Sequence, residues 1–214
     1  MLTVHHLGKS QSERVVWLCE ELAIPYELKR YARDPVTTIL APPELSALHP
    51  IGLAPVIIDG DLVLAESGAI IEYLIAKHGN GRLALTANHP DFAHYLYWFH
   101  FANGTLQPSI GRNVILRRLN LAADNPTLLA MKGRLDRALA LVESRLGQAN
   151  YFAGGEFTAA DIMMVFSLTT MRYIMPIDLS SYPSILAYLR RIGERDAYQR
   201  AMKKGDPDMA PLLT

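Results

Sequence analysis

The chain has 214 residues, half of them hydrophobic and a fifth charged, the make-up of a globular protein with room for two small domains. Lysine plus arginine equals aspartate plus glutamate, 21 against 21, so nothing argues for nucleic acid or an anionic membrane surface as partner. A single cysteine excludes an intramolecular disulfide framework and fits a reducing, cytoplasmic setting. No run reaches the roughly 18 apolar residues of a membrane span, and Met1-Leu2-Thr3-Val4-His5-His6 lacks the basic and long apolar regions of a signal peptide.

In chain order, residues 2–7 read as a strand and Ser10 to Leu22 as a helix. Ser10-x-x-Glu13 has the form of a capping box, with the serine hydroxyl on the helix N-cap. Val15, Leu18, Cys19 and Leu22 share one helical face, which turns Cys19 toward the core as a small hydrophobe. The rival role, a redox nucleophile, fails because Cys19 stands too far from the helix start for the dipole to help. Tyr26 to Tyr31 alternates and reads as a second strand. A loop with Pro35, Pro42 and Pro43 leads to a short helix ending near His49. A hairpin over 55–64 turns at Asp59-Gly60, and a helix from Glu66 to His78 closes at Gly79. The order βαβ-ββα makes one four-stranded mixed sheet with helices on its faces.

Residues 80–90 are turn-rich and read as a linker between a first domain, 1–79, and a second, 91–214. Beyond it, apolar-periodic segments run over about 91–120, 126–147, 158–174 and 183–202, with no strand pattern among them. The fold class is therefore α/β plus all-α, the second domain being helical throughout. Thr158-Ala159-Ala160-Asp161 is a capping box with an acid at N3, and Phe157 and Ile162 sit where a hydrophobic staple would close. Tyr95, Tyr97, Trp98, Phe99, His100 and Phe101 cluster aromatics on the first long helix; they serve either packing against the first domain and a partner subunit or a wall for an apolar substrate. The histidines lack metal-ligand spacing: His5 and His6 are strand neighbours facing opposite ways, and His94 and His100 are not i, i+4 partners. No metal is expected.

The most informative stretch is His49-Pro50-Ile51-Gly52-Leu53-Ala54-Pro55-Val56-Ile57-Ile58, followed by Ala65-Glu66-Ser67-Gly68-Ala69-Ile70. Pro55 cannot donate to a ladder and fits the first position of a strand, leaving the Ala54 backbone open on a corner. Glu66 and Ser67 open a helix, whose N-terminal N–H groups and dipole suit the carboxylate and amine of an amino-acid-like ligand.

This stretch resembles the glutathione-binding half of the cytosolic glutathione transferases, with Asn/His-Pro-x-Gly-x-x-Pro-Val, a hairpin, and Glu-Ser-x-Ala-Ile. The resemblance extends to Ser10-Gln11-Ser12-Glu13-Arg14 and to Phe157-Thr158-Ala159-Ala160-Asp161. The runs Ala41-Pro42-Pro43-Glu44-Leu45 and Gly104-Thr105-Leu106-Gln107-Pro108 look like a serine-type branch shared by fungi and bacteria. It implies a thioredoxin-like first domain and a helical second domain carrying the site for a hydrophobic substrate.

It also implies roles for individual residues. Ser10, four residues before Arg14, would donate its hydroxyl to the glutathione thiolate, with Ser12 as its competitor. Ala54-Pro55 would be cis, although the sequence by itself favours trans, and the Ala54 backbone would pair with the cysteinyl part of glutathione. Glu66 would take the γ-glutamyl ammonium and Ser67 its carboxylate. Leu53 stands where many relatives carry a lysine or arginine near the glycyl carboxylate; it cannot supply that charge, and Arg33 and His49 are the nearest cations in sequence. Asn103 stands where relatives place an acid reaching the γ-glutamyl amine of the neighbouring subunit, and it keeps a hydrogen bond without the charge. Thr158 and Asp161 remain structural.

The implied activity is glutathione transfer in detoxification: a bound thiolate attacks an apolar electrophile or reduces a hydroperoxide. Glutathione is a co-substrate, no other cofactor is implied, and a homodimer is expected. One rival is a glutathione-dependent thiol–disulfide oxidoreductase, which would carry a cysteine at position 10. The other is a non-catalytic binding module of the same fold.

Overall fold

Leu2, Val4, His5, His6 and Leu7 are all buried, so the first strand, β1 (Leu2–Leu7), is covered on both faces. In the computed structural model, which describes residues 1–33 and 40–214, β1 pairs in parallel with β2 (Glu27–Tyr31). On its other side it pairs antiparallel with β3 (Val56–Asp59), and β3 with β4 (Leu62–Ala65), in the order β2-β1-β3-β4. With α1 (Glu13–Leu22), the short α2 (Pro43–Ser46) and α3 (Ser67–Lys77), this is the expected thioredoxin-like arrangement. Pro35 lies outside the described residues. The hairpin turns on Gly60 and Asp61, one residue later than Asp59-Gly60, because Asp59 already pairs with Leu62. At the end of α3 the chain passes close to α1: a Cβ on Gly79 would sit 2.8 Å from Leu22 Cδ1 and 2.9 Å from the Ile75 carbonyl.

The chain divides into two compact units, residues 1–84 with 192–211, and residues 85–191 with 212–214. Unit 2 is helical: α4 (Phe92–Phe101) passes through a π-turn, Ala102–Leu106, into α5 (Gln107–Arg118). There follow α6 (Pro126–Leu146), α7 (Ala159–Leu168), a 3-10 turn at Thr170–Tyr173 and α8 (Pro183–Gly193). The aromatic cluster of α4 is part of this unit's own core. Trp98 lies 5.0 Å from the ring of Phe101 and 5.1 Å from that of Phe152, which meets Tyr188 edge-on. Tyr97 is half exposed.

The units differ from the expected division at 79 and 91, chiefly at the C-terminus. The last helix, α9 (Asp196–Gly205), belongs to unit 1, not to the helical domain. Its physical reason is the outer face of α1. Trp17 packs edge-on against Tyr198 with ring centroids 4.9 Å apart. Arg195 gives two N–H groups to Glu21 at 2.7 and 2.8 Å, and Arg200 pairs with Glu20. With α9 on one face and the sheet on the other, α1 is buried nearly all round. Cys19 is buried as expected; burial, with Glu20 beside it, pushes its thiol up to about 12. Among the described residues no helix is long and apolar enough to cross a membrane.

Candidate active site

Three segments of unit 1 make the site: the turn after β1, the corner before β3, and the step from β4 into α3. In the first, Lys9 takes a left-handed φ of 53°. Its N–H donates to Asp206 Oδ1 at 3.0 Å and its carbonyl accepts from Arg33 Nη2 at 2.6 Å. Ser10, after this reversal, is buried but keeps 8% exposure, while Ser12 is wholly buried.

The expected capping box from Ser10 to Glu13 does not form. The helix starts at Glu13, and Ser10 lies in the tight turn before it, its carbonyl accepting the Glu13 N–H at 3.1 Å. The Ser10 hydroxyl instead accepts the Ser12 N–H at 3.2 Å, a local serine turn. The start is displaced because Ser12 is tied to the strand: its Oγ accepts the Leu7 N–H at 3.1 Å and lies 2.8 Å from His6 Nδ1.

At the second segment, Gly52 has a φ of 65°, Leu53 is half exposed and the Ala54–Pro55 bond is cis. The third segment is held in an unusual conformation: Glu66, exposed at the N-cap of α3, has φ 71° and ψ 113°. Such backbone costs about 1–3 kcal/mol for a residue with a Cβ and persists only where its surroundings over-determine it. Ser67 follows it at the first turn, 1% exposed.

Arg14 ties these segments together. Its Nη1 donates to Gln11 Oε1 at 3.0 Å and to Ser67 Oγ at 3.2 Å. Gln11 in turn donates to the Ala54 carbonyl at 3.4 Å. The guanidinium is fully buried; burial lowers its pKa to about 9 against the opposing pull of Glu13, so it stays charged at neutral pH. The N-termini of α1 and α3 lie beside this cation; in the first turn of α1 the Glu13, Arg14 and Val15 N–H groups are already taken by the Ser10, Gln11 and Ser12 carbonyls. The arrangement is electropositive and fits an anion.

The structure thus brings together Ser10, Ala54, Pro55, Glu66 and Ser67 in one unit, with Leu53 beside them. Asn103 belongs to the other unit, on the π-turn. Of the cations nearest Leu53 in sequence, Arg33 is engaged with Lys9 and His49 Nδ1 accepts the Ile51 N–H. Thr158 and Asp161 form the expected capping box in unit 2: Asp161 Oδ2 accepts the Thr158 N–H at 2.9 Å and Thr158 Oγ1 accepts the Ala160 N–H at 3.3 Å. Phe157 packs edge-on against Tyr151.

Sequence reasoning named Ser12 only as a competitor of Ser10, and missed the linking role of Arg14 and the polar groups that meet Ser12 from below, His6 and Asp206. The signal for His6 was its place on a strand flanked by the serine turn; nothing local marked Asp206.

A family model described as the glutathione S-transferase N-terminal domain matches residues 10–77, and one described as the glutathione S-transferase C-terminal domain matches 69–191. The chain belongs to the glutathione S-transferase family. It is a transferase of the glutathione-dependent kind. Among curated relatives, glutathione S-transferase 3 of Schizosaccharomyces pombe is 29% identical, covering 100% of this chain and 92% of that protein. Glutathione S-transferase 1 of Saccharomyces cerevisiae is 28% identical over 95% of each chain. Among solved structures, a glutathione S-transferase of Actinobacillus pleuropneumoniae superposes with a TM-score of 0.85 at 31% identity, covering 98% of this chain and 97% of its own. The match runs through both units of this transferase.

Proposed function

We propose that this glutathione S-transferase is of the serine type, with Ser10 as the donor that stabilises the glutathione thiolate. The observation that carries the reading is the placement of Ser10 in the turn into α1: it keeps 8% exposure, while Ser12, its competitor, is wholly buried with its Oγ 2.7 Å from the Ser10 hydroxyl. A free thiol has a pKa of about 8.5, and helix N-termini with a nearby donor lower such values. Each unit corresponds to about 1.4 kcal/mol of preference for the thiolate, so a drop of about two units makes thiolate dominant at neutral pH.

The rest of glutathione follows from the three segments. The Ala54 backbone at the Pro55 corner pairs with the cysteinyl amide. Glu66, exposed where the dipole of α3 begins, takes the γ-glutamyl ammonium, and the Ser67 end of the helix takes the carboxylate, backed by Arg14. Leu53 gives the glycyl end only apolar contact. Asn103 offers a neutral hydrogen bond where an acid would supply charge. The thiolate then attacks an apolar electrophile or reduces a hydroperoxide in a detoxifying role. The protein supplies positioning and anion stabilisation, glutathione enters as co-substrate, and the working form is a cytoplasmic homodimer. A serine at position 10 rather than a cysteine speaks against thiol–disulfide exchange as the main reaction.

The test is Ser10→Ala. A hydrogen bond to a charged group is worth about 1.5–3 kcal/mol, so the bound thiol's pKa should rise by about one to two units and turnover with an aryl halide should fall roughly 10–100-fold. A folded variant with wild-type thiol pKa and turnover overturns the assignment.

A further inference from the structure

Beneath Ser10 runs a chain of hydrogen bonds that the proposed chemistry does not by itself require. Ser10 Oγ lies 2.7 Å from Ser12 Oγ, Ser12 Oγ lies 2.8 Å from His6 Nδ1, and His6 Nε2 lies 3.1 Å from Asp206 Oδ2. Ser12 and the His6 ring are wholly buried, and Asp206 is 9% exposed. Asp206 stands just past the end of α9 and its other oxygen holds the Lys9 N–H. Gly205 lets this end come close, since a Cβ there would sit 3.2 Å from His6 Nε2. One carboxylate from the far end of the chain therefore fixes both the backbone before Ser10 and the imidazole behind it.

We propose that His6, anchored by Asp206, is a positioning residue that acts through Ser12 to set which way the Ser10 hydroxyl points its hydrogen. The inference rests on Ser10 being the thiolate donor. A hydroxyl has one hydrogen and two acceptor lone pairs, which makes the bookkeeping strict. One lone pair of Ser12 Oγ is taken by the Leu7 N–H. His6 Nε2 faces a carboxylate, an acceptor only, so Nε2 holds a hydrogen in either charge state of the ring. In the neutral ring, Nδ1 is then an acceptor and draws the Ser12 hydrogen. The second lone pair of Ser12 accepts the Ser10 hydrogen, which is lost to the thiolate. In the protonated ring, the Nδ1 hydrogen fills that second lone pair. Ser12 then gives its own hydrogen to Ser10 Oγ, the shorter of its two acceptors, the Leu7 carbonyl lying at 3.3 Å. The Ser10 hydrogen is left to point outward.

A hydrogen on Nδ1 is thus what frees the Ser10 hydrogen for a bound thiolate. The charged groups around the ring support this. Asp206 supplies the counter-charge: burial pushes its carboxyl up, but the His6 bond and charge, the Lys9 N–H and Arg30 outweigh it and hold it below the usual range. Arg30 on β2 stands beside His6 in the ladder, Arg33 acts on Asp206 from the segment after β2, and His5 faces Tyr31 instead.

The experiment is a thiolate-absorbance titration of bound glutathione in wild type, Ser10→Ala and His6→Leu, with kcat and KM for glutathione from the same preparations. His6→Leu should raise the bound thiol's pKa by about one unit, a tenfold loss of thiolate preference. Its kcat at neutral pH should fall about tenfold in step, and KM for glutathione should stay within about twofold. If Ser10→Ala raises the thiol pKa and a folded His6→Leu does not, the relay is overturned and the Ser10 assignment stands. If neither raises it, the Ser10 assignment falls and the relay with it. Because His6→Leu leaves Asp206 buried without its partner and can fail to fold, nitrogen NMR of the wild-type His6 ring gives a second reading. With glutathione bound as thiolate, both ring nitrogens should carry hydrogen. A ring bare at Nδ1 in that complex overturns the proposal.

Discussion

Asp161 closes the capping box of α7. It is wholly buried in unit 2 and accepts four hydrogen bonds. Phe152 N at 3.0 Å and Tyr188 Oη at 3.1 Å go to Oδ1; Thr158 N at 2.9 Å and Thr158 Oγ1 at 3.3 Å go to Oδ2. Burial raises its pKa from 3.8 to about 6, although the Phe152 and Thr158 N–H groups and Tyr188 pull it down. Between those two values the folded chain holds a proton that the unfolded chain has released. Its contribution to stability is therefore full below the unfolded value and is lost as pH rises through about 6. At about 1.4 kcal/mol per unit, the swing is about 3 kcal/mol. Asp161→Asn abolishes the titration. It also turns an amide N–H toward a backbone N–H, a pH-independent cost of about 1–3 kcal/mol. The assay is chemical denaturation of both proteins from pH 4 to pH 7.5. The wild type's unfolding free energy relative to the variant should fall by about 2.5 kcal/mol as pH rises over this range, while the contributions of every other group cancel. Parallel stability curves would refute the reasoning. Glutathione affinity of the folded variant should match wild type, since Asp161 caps α7 and belongs to no part of the proposed site.

Two further outcomes follow from unit 1. Glu66→Gly should stabilise the fold by about 1 kcal/mol, because glycine adopts the positive φ without a Cβ penalty. The same change should weaken glutathione binding by about 1.5–3 kcal/mol; calorimetry beside thermal unfolding reads both, and unaltered affinity would remove Glu66 from the ligand. Glu21→Gln should lower unfolding free energy by about 1–2 kcal/mol by denaturant titration, since Glu21 accepts both Arg195 N–H groups and the Trp17 indole N–H at 2.9 Å; an unchanged midpoint would mean that the Glu21–Arg195 pair does not help to hold α9.

The parts of this protein that the sequence made legible are those governed by neighbours along the chain. The strands, the hairpin and α3 followed from alternation and turn chemistry. The Thr158–Asp161 cap needed only residues three apart. The cis bond at Ala54–Pro55 was readable only through resemblance, because nothing local reverses the ordinary trans preference. What failed was of longer range. Helical periodicity in α1 marked Val15, Leu18, Cys19 and Leu22 as buried, but it left Trp17, Glu20 and Glu21 on a face without a partner. That partner, α9, lies more than 170 residues away in sequence, as the Glu21–Arg195 pair shows. The same return of the chain carries Asp206 to His6. A capping box at Ser10 was a sound local reading that lost to tertiary bonds, since Ser12 is anchored to β1 and delays the helix.

These long-range links explain why so polar a site is stable. Arg14 is a buried cation placed between the N-termini of two helices, each presenting the positive end of its dipole. By itself that arrangement is electrostatically unfavourable, and the lowered pKa of Arg14 records the cost of burying it. The protein offsets this partly with hydrogen bonds, Arg14 to Gln11 and Ser67, and partly with an acid, Glu13 beside it. An anionic ligand completes the compensation. A thiolate at Ser10 and a carboxylate at the start of α3 would each face a helix end and lie in the field of one guanidinium. Binding then relieves a cost that folding has already borne. Affinity for the anion and stability of the site are linked through Arg14, and both should rise together when glutathione is present.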